Sequence, residues 1–296
     1  MNRLGMFLCC VFLLTGYTFG QTNQSTVEQT GDFNETLIRQ VGENHQADVD
    51  QGTMNSVVVL DFFGIPPIDG NSSYNITYIN QEGDGGWNRA YSFQADASGS
   101  GAGENVIDID QYGLSGVAGK SNEAYTGQNG KRNYIQVEQG NAVDGNAGNF
   151  GVALQYGRTN AATIQQFGDE GVAGMVTRGN ENDGSINQKG LHNRGIIVQA
   201  GITRLNVEYM ISTLQPDFTL PIEMSNSNSA RIDQTNTGGY DSNNSGIVLQ
   251  NGDSNFLDLD QFGELNEAGV WQSGYGHDAT VDQYGAGNTA DVTQQD

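Results

Sequence analysis

Cysteine, proline and basic side chains are all scarce in this 296-residue chain. The two cysteines, Cys9 and Cys10, are adjacent and lie within residues 1–20, so the rest of the chain holds no disulfide and no thiolate metal site. The four prolines fall in two places, Pro66 with Pro67 and Pro216 with Pro221. Lys and Arg number 12 against 35 Asp and Glu, a net charge of −23. That balance disfavours nucleic acid and anionic membrane as partners, because both are themselves negative. Apolar residues make up only 36%, too few for a large globular core at this length. Low hydrophobicity with high charge would leave a chain disordered unless repetition supplied backbone pairing.

One apolar stretch stands apart. Arg3 followed by Met6 to Leu14 and then small or polar residues to Gly20 has the form of a secretory signal peptide, with the cut expected near Gly20–Gln21. The stretch is too short to span a bilayer comfortably, so no membrane insertion is expected and the mature chain is placed outside the cell.

What the chain has in abundance is glycine, 42 residues, together with asparagine and glutamine at a fixed spacing. Gln250, Gln261, Gln272, Gln283 and Gln294 recur every 11 residues. Gly252, Gly263, Gly274 and Gly285 each follow a Gln by two, and Asn255, Asn266, His277 and Asn288 precede the next Gln by six. Small or apolar residues fill alternate positions between, as in Leu257 and Leu259 or Ala290 and Val292. The unit is Asn-x-Φ-x-Φ-x-Gln-x-Gly, with Φ small or apolar.

The same frame continues upstream at Gln29, Asn34, Gln40, Gln51, Asn75, Gln81, Asn105, Gln111, Gln128, Asn133, Gln139, Gln155, Asn160, Gln166, Gln188, Asn193, Gln199 and Gln234. Its turn glycines there are Gly31, Gly42, Gly113, Gly130, Gly157, Gly168 and Gly190. Two degenerate copies are expected at Asn55 to Asp61 and at Val172 to Arg178. Residues 21–61, 75–199 and 228–296 thus form three blocks of repeats. Residues 62–74 and 200–227, which carry the prolines, are expected to be loops that interrupt the stack, the second with a poor strand near Asn206.

Even spacing puts Asn, both Φ positions and Gln on one face of a β-strand, whereas a helix would scatter them around its circumference. Insertions fall between Gly and Asn and never inside the Asn-to-Gln span. A turn absorbs added residues at little cost, while one added to a strand reverses every later side chain. The expected fold is therefore all-β: a β-solenoid of strand–turn–strand rungs, about 22 residues each, in two facing parallel sheets. Inward Asn and Gln form amide columns along the axis, since buried amides need partners. Asp48, Asp50, Asp108, Asp110, Asp258, Asp260 and Asp282 face outward, on a surface read as mixed and acidic.

The run Gln283-Tyr-Gly-Ala-Gly-Asn288-Thr-Ala290-Asp-Val-Thr-Gln294 resembles the curlin repeat of curli subunits. The resemblance extends over nearly the whole chain after residue 20. It implies an extracellular functional amyloid, exported through an outer-membrane pore, that polymerises with itself and with other curlin-type subunits or a nucleator. The chain departs from the familiar subunits in its greater number of repeats, its two proline-bearing segments and its acidity.

Other chemistry finds little footing. His45 and His277 occupy Asn slots, His192 lies in a turn, and no catalytic or metal-binding set of spacings is present, so no enzyme activity and no cofactor is expected. Calcium between Asp-x-Asp pairs is an alternative, although the Gly-Gly-x-Gly-x-Asp nonapeptide of calcium-binding β-rolls is missing. Aromatics after Gln (Tyr112, Tyr156, Phe167, Phe262, Tyr284) are expected to stack along a rim. The competing function is a monomeric solenoid adhesin, or an ice-binding protein. The latter would need a regular outward array of threonine.

Overall fold

The computed structural model describes residues 24–29, 35–41, 46–52, 57–63, 74–82, 88–95, 104–112, 122–140, 148–199, 226–236 and 243–296. Among them are twenty strands and no helix. In chain order the first ten are β1 (Gln24–Gln29), β2 (Glu35–Val41), β3 (Gln46–Gly52), β4 (Val57–Phe63), β5 (Tyr74–Glu82), β6 (Arg89–Ala95), β7 (Glu104–Tyr112), β8 (Glu123–Lys131), β9 (Tyr134–Gln139) and β10 (Phe150–Arg158). The remainder are β11 (Ala161–Phe167), β12 (Val172–Asn180), β13 (Asp183–Lys189), β14 (Arg194–Gln199), β15 (Ser229–Thr235), β16 (Ser245–Asp253), β17 (Phe256–Glu264), β18 (Glu267–Tyr275), β19 (Asp278–Ala286) and β20 (Thr289–Gln295).

Odd-numbered strands form one ten-stranded sheet, here sheet A, and even-numbered strands form another, sheet B. Every pairing is parallel, so the chain alternates between the sheets and climbs one strand spacing per rung. Ten rungs at about 4.8 Å make a β-solenoid on the order of 50 Å long.

The stack runs unbroken past both proline-bearing segments, contrary to expectation. β3 pairs with β5 and β4 with β6 across the first; β13 pairs with β15 and β14 with β16 across the second. Strand pairing resumes in register on the far side of each segment. β4 also extends two residues into the first interval, to Phe63. Residues 1–23, and the segment around Asn206, lie outside the described residues.

Between the sheets lies a thin apolar core with large side chains on one side and small ones on the other. Sheet A supplies Ile107, Ile109, Ile135, Ile164, Ile186, Ile232 and Leu257, all fully buried. Each such side chain contributes about 2 kcal/mol by leaving water. Sheet B faces them with Ala124, Ala153, Gly195 and Gly246. The fit is tight: a Cβ on Gly246 would lie 2.9 Å from Leu259 Cδ2, and one on Gly195 2.9 Å from Ile186 Cγ2. One rung reverses the arrangement, with Met175 of sheet B packed over Gly184 of sheet A.

Candidate functional site

The predicted amide columns exist, and they bond further than stacking alone requires. In sheet A, Gln29, Gln51, Gln81, Gln111, Gln139, Gln166, Gln188, Gln234, Gln261 and Gln283 form one unbroken chain. Each Nε2 donates to the next Oε1, at 2.6 Å for the first pair and 2.8 Å for the last. The second Nε2 proton crosses the core to a backbone carbonyl at the start of the facing strand. Gln139 reaches Glu123 O at 3.0 Å, Gln166 reaches Phe150 O at 3.2 Å, and Gln261 reaches Ser245 O at 3.0 Å. From Gln111 to Gln283 each glutamine therefore joins neighbouring rungs and clamps sheet A to sheet B.

Sheet B has the same column with two gaps. Gln94, Gln128 and Gln155 form one run, and Gln199, Gln250, Gln272 and Gln294 another. Gln40 donates to Gln24 O at 3.1 Å but pairs in register with Phe62, which also stands opposite Gln94. Thr177 occupies the slot between Gln155 and Gln199. It leaves Gln155 Nε2, Gln199 Oε1 and its own Oγ1 buried without a partner.

These gaps correct the two degenerate repeats. The Gln slot of the first is Phe62 rather than Asp61. In the second the frame runs from Gly171 to Thr177 rather than from Val172 to Arg178. Both sequence frames were one residue out, enough to exchange inward and outward faces.

The asparagines act at the corners. Asn Oδ1 accepts the backbone N–H of the Asn one rung on: Asn133 N to Asn105 Oδ1 at 3.1 Å, Asn255 N to Asn228 Oδ1 at 2.8 Å, and Asn288 N to Asn266 Oδ1 at 3.2 Å. Asn Nδ2 donates to a glycine carbonyl of the turn, as from Asn160 to Gly179 O at 3.0 Å. Asn75 accepts from Asn105 Nδ2 at 3.0 Å, and Asn193 donates to Lys189 O at 2.8 Å. His277 keeps only part of this role, since its N–H still reaches Asn255 Oδ1 at 3.0 Å. Asn34, Gly31, Gly42 and Gly113 lie outside the described residues, as does His45.

The turn glycines sit at the ends of paired strands rather than at the reversal. Gly130, Gly157, Gly252, Gly263, Gly274 and Gly285 all belong to strands, and Gly168 and Gly190 directly follow β11 and β13. All but Gly285 are held to glycine by close approach: a Cβ on Gly157 would overlap Gly179 O, and one on Gly168 would overlap Gly190 O. The reversal falls on the residue just before the Asn slot. Arg132, Thr159, Glu170, Glu181, His192, Ser227, Ser254 and Leu265 all adopt φ between 53° and 60° there. Their residue types share nothing, so this position was invisible in the sequence.

The outward surface is segregated, not mixed. All seven predicted outward aspartates lie on sheet A, together with Glu138, Asp233 and Asp278. Asp260 stands in register with Asp233 on one side and Asp282 on the other. Arg231 offsets part of this repulsion through Asp233 and Asp258. Partial burial, and then the charges of Asp110 and Glu138, raise the Asp108 carboxyl above its usual range. Burial leads the upward shift of Asp260 too, against the pull of Arg231. Sheet B points apolar side chains outward instead, among them Leu37, Tyr91, Phe93, Tyr125, Val152, Leu154, Ile196, Val198, Leu249 and Trp271. Tyr91 and Tyr125 stack with centroids 4.7 Å apart. Of the aromatics following Gln, Phe262 and Tyr284 meet at 6.4 Å.

Among the described residues the end rungs have unpaired edges: β1 pairs only with β3 and β2 only with β4, while β19 pairs only with β17 and β20 only with β18. Residues 252–285 and 263–295 match the sequence profile of the curlin associated repeat. Residues 252–295 carry curlin associated repeats. The match covers the last two residues of β16 and all of β17 to β20. Upstream of it the sheet A glutamine column continues to Gln29, and the sheet B column continues with its two gaps. No curated protein matches the chain. Among the described residues no group of three or more His, Cys, Asp or Glu gathers as a metal site, and no helix is long and apolar enough to cross a membrane.

Proposed function

We propose that this chain is a structural subunit of an extracellular curli-type fibre, and that it polymerises by adding solenoids end to end. The observation that carries the reading is the geometry of the two open ends. Because the strand number is even, a second copy placed beyond β19 and β20 continues both sheets in order. Its Gln29 would follow Gln283, and its Gln40 would follow Gln294. Each new rung would then satisfy an edge that is otherwise a template for pairing.

On this reading the work of the chain is mechanical, in biofilm matrix and adhesion, and no reaction is assigned to it. Residues 1–20 direct export, an outer-membrane pore passes the mature chain, and a nucleator or another curlin-type subunit starts growth. The acidic face of sheet A restrains association until export, as charged gatekeepers do.

Deleting residues 244–296 removes the most regular rungs and should abolish thioflavin-positive growth of the purified mature chain. Fibres seen by electron microscopy, with a meridional reflection near 4.7 Å, are the expected product of the full chain. A persistent monomer would favour an adhesin that works as a single solenoid.

A further inference from the structure

Two tyrosines stand face to face on the outer surface of sheet B. Tyr91 of β6 and Tyr125 of β8 are partners in the strand register, and their rings lie 4.7 Å apart between centroids and 8° from parallel. Both are half-buried, so small solutes reach them. On the other side of Tyr125 is Phe150, 5.5 Å away and tilted by 43°. Tyr125 therefore has one phenol for a neighbour and one ring without a hydroxyl. Among the described residues no other tyrosine pairs in register with a tyrosine. Tyr78 stands between Asp48 and Asp108, Tyr134 between Val106 and Ala161, and Tyr156 between Asn129 and Arg178.

The pair is held by the fold and supplied with a proton acceptor. Parallel pairing keeps β6 and β8 one strand spacing apart, so the rings cannot part unless the sheet opens. Arg89 Nη1 of β6 ties the same two strands by reaching Glu123 Oε1 of β8 at 3.0 Å. The other oxygen of that carboxylate, Glu123 Oε2, accepts from the Tyr125 hydroxyl at 3.4 Å. Burial first, and then the charge of Glu123, raise the Tyr125 phenol above its usual range, so it keeps its proton. Removing an electron from a phenol makes that proton strongly acidic, and Glu123 is already placed to take it. Residues 21–296 contain no cysteine that would quench a tyrosyl radical.

We infer that Tyr91 and Tyr125 form a site of oxidative modification, at which a one-electron oxidant of the haem peroxidase class, fed by hydrogen peroxide, joins them as a dityrosine within one chain. Each ring gives up one electron; the Tyr125 proton passes to Glu123 Oε2 and the Tyr91 proton to water. The two phenoxyl radicals then form a carbon–carbon bond between one ortho carbon of each ring. The hydrogen on each of those carbons leaves as a proton and returns to the phenoxyl oxygen, which restores both phenols. The pair loses two protons and two electrons in all, and one hydrogen peroxide takes them up to give two waters. Side-chain rotations close the gap while the strand register stays as it is. Neighbours held in this way react as parts of one molecule, so coupling inside the pair outruns coupling between chains. The product is a covalent staple across two successive rungs of sheet B, and it closes a loop that persists in the unfolded chain. It forms in a single solenoid, whether or not solenoids add end to end.

Treating the dilute mature chain with a haem peroxidase and hydrogen peroxide tests this. Dityrosine fluorescence should appear in a product that still runs as one chain on a denaturing gel. Tryptic peptides 90–120 and 121–131 should be found joined, with fragmentation placing the bond at Tyr91 and Tyr125. Tyr91→Phe and Tyr125→Phe keep the rings but should each lower the dityrosine yield at least ~10-fold, because the coupling then loses its positioned partner. Tyr134→Phe should leave the yield unchanged. Glu123→Gln should slow the coupling, and an equal rate would overturn the role of Glu123 as acceptor. After oxidation the native chain should unfold at a higher urea concentration than the Tyr91→Phe chain treated alike. Dityrosine that persists in either phenylalanine variant, or that joins only separate chains, overturns the inference. So does a chain that yields none while free tyrosine in the same tube is coupled. Mapping the bond in the unaltered chain decides the question even if a variant does not fold.

Discussion

Sheets A and B are built from the same 11-residue unit, yet they divide its tasks between them. Sheet A carries a continuous column of ten glutamines, the larger core side chains and an acidic outer surface. Sheet B carries a column interrupted at Phe62 and Thr177, the smaller core side chains and an apolar outer surface. The physical repeat is therefore the rung of about 22 residues, in which one strand supplies bulk and charge and the other accommodates them. Continuity matters because an amide in the middle of a column bonds to both neighbours and to the facing sheet. An amide beside a gap is left with a buried, unsatisfied group.

The largest expected effect cuts the continuous column. Gln166→Leu leaves Gln139 Nε2, Gln188 Oε1 and Phe150 O short of partners, and should cost about 3 kcal/mol in urea unfolding. Gln155→Leu, beside the gap, should cost about half as much, because its Nε2 already lacks a partner. Equal losses would remove the distinction between the two columns.

Filling the gap is the converse. Thr177→Gln offers partners to both Gln155 Nε2 and Gln199 Oε1, and should stabilise by about 1–2 kcal/mol, seen as a higher Tm. A lower Tm would mean that the space at this rung, rather than the missing amide, sets its stability.

The acidic face gives a pH dependence with a definite sign. The carboxyls of Asp108 and Asp260 are raised above the usual 3.8, mainly by burial. The folded stack therefore binds protons more tightly than the unfolded chain, and its stability falls as pH rises through the carboxylate range. Acidification from neutral pH towards that range should raise Tm and shorten the lag of fibre growth, and Asp108→Asn should blunt the change. Curves that are flat or reversed would show that the column of acids does not oppose stacking.

The smallest effect concerns the corner before each Asn. Leu265 holds φ at 54°, a conformation that glycine adopts without strain. Leu265→Gly should add about 1 kcal/mol in a chemical melt, the reduced strain outweighing the greater freedom of the unfolded chain. Gly276→Leu, at the equivalent corner with φ of 68°, should lose a similar amount.

Much of this architecture was legible in the residues, because the spacing from Asn to Gln determines strand parity and only a strand places those side chains on one face. Gln250, Gln261, Gln272 and Gln283 could be assigned inward on that ground alone. The two degenerate repeats were misplaced because Phe62 and Thr177 lack the amide that marks the slot, and the neighbouring Asp61 and Arg178 offered a plausible polar substitute. The division of the outer surface was hidden for a different reason. Outward residues show a pattern only when alternate repeats are separated: Asp258 and Asp260 belong to sheet A, and Leu249 and Trp271, from the repeats on either side, belong to sheet B. The left-handed corners carried no signal because eight unrelated side chains occupy them.

End-to-end growth in register is the central claim, and a disulfide across the subunit boundary tests it most directly. Continuation of sheet A puts Asp282 of one chain beside Glu28 of the next, both outward-facing and at a spacing that a disulfide can bridge. Mixed fibres of an Asp282→Cys chain and a Glu28→Cys chain, each with Cys9 and Cys10 replaced by serine, should form the heterodimeric disulfide on oxidation in high yield. The same chains held as monomers should not. Fibres that grow normally yet give no such link, or that link Asp282→Cys chains to one another instead, would contradict the head-to-tail stack.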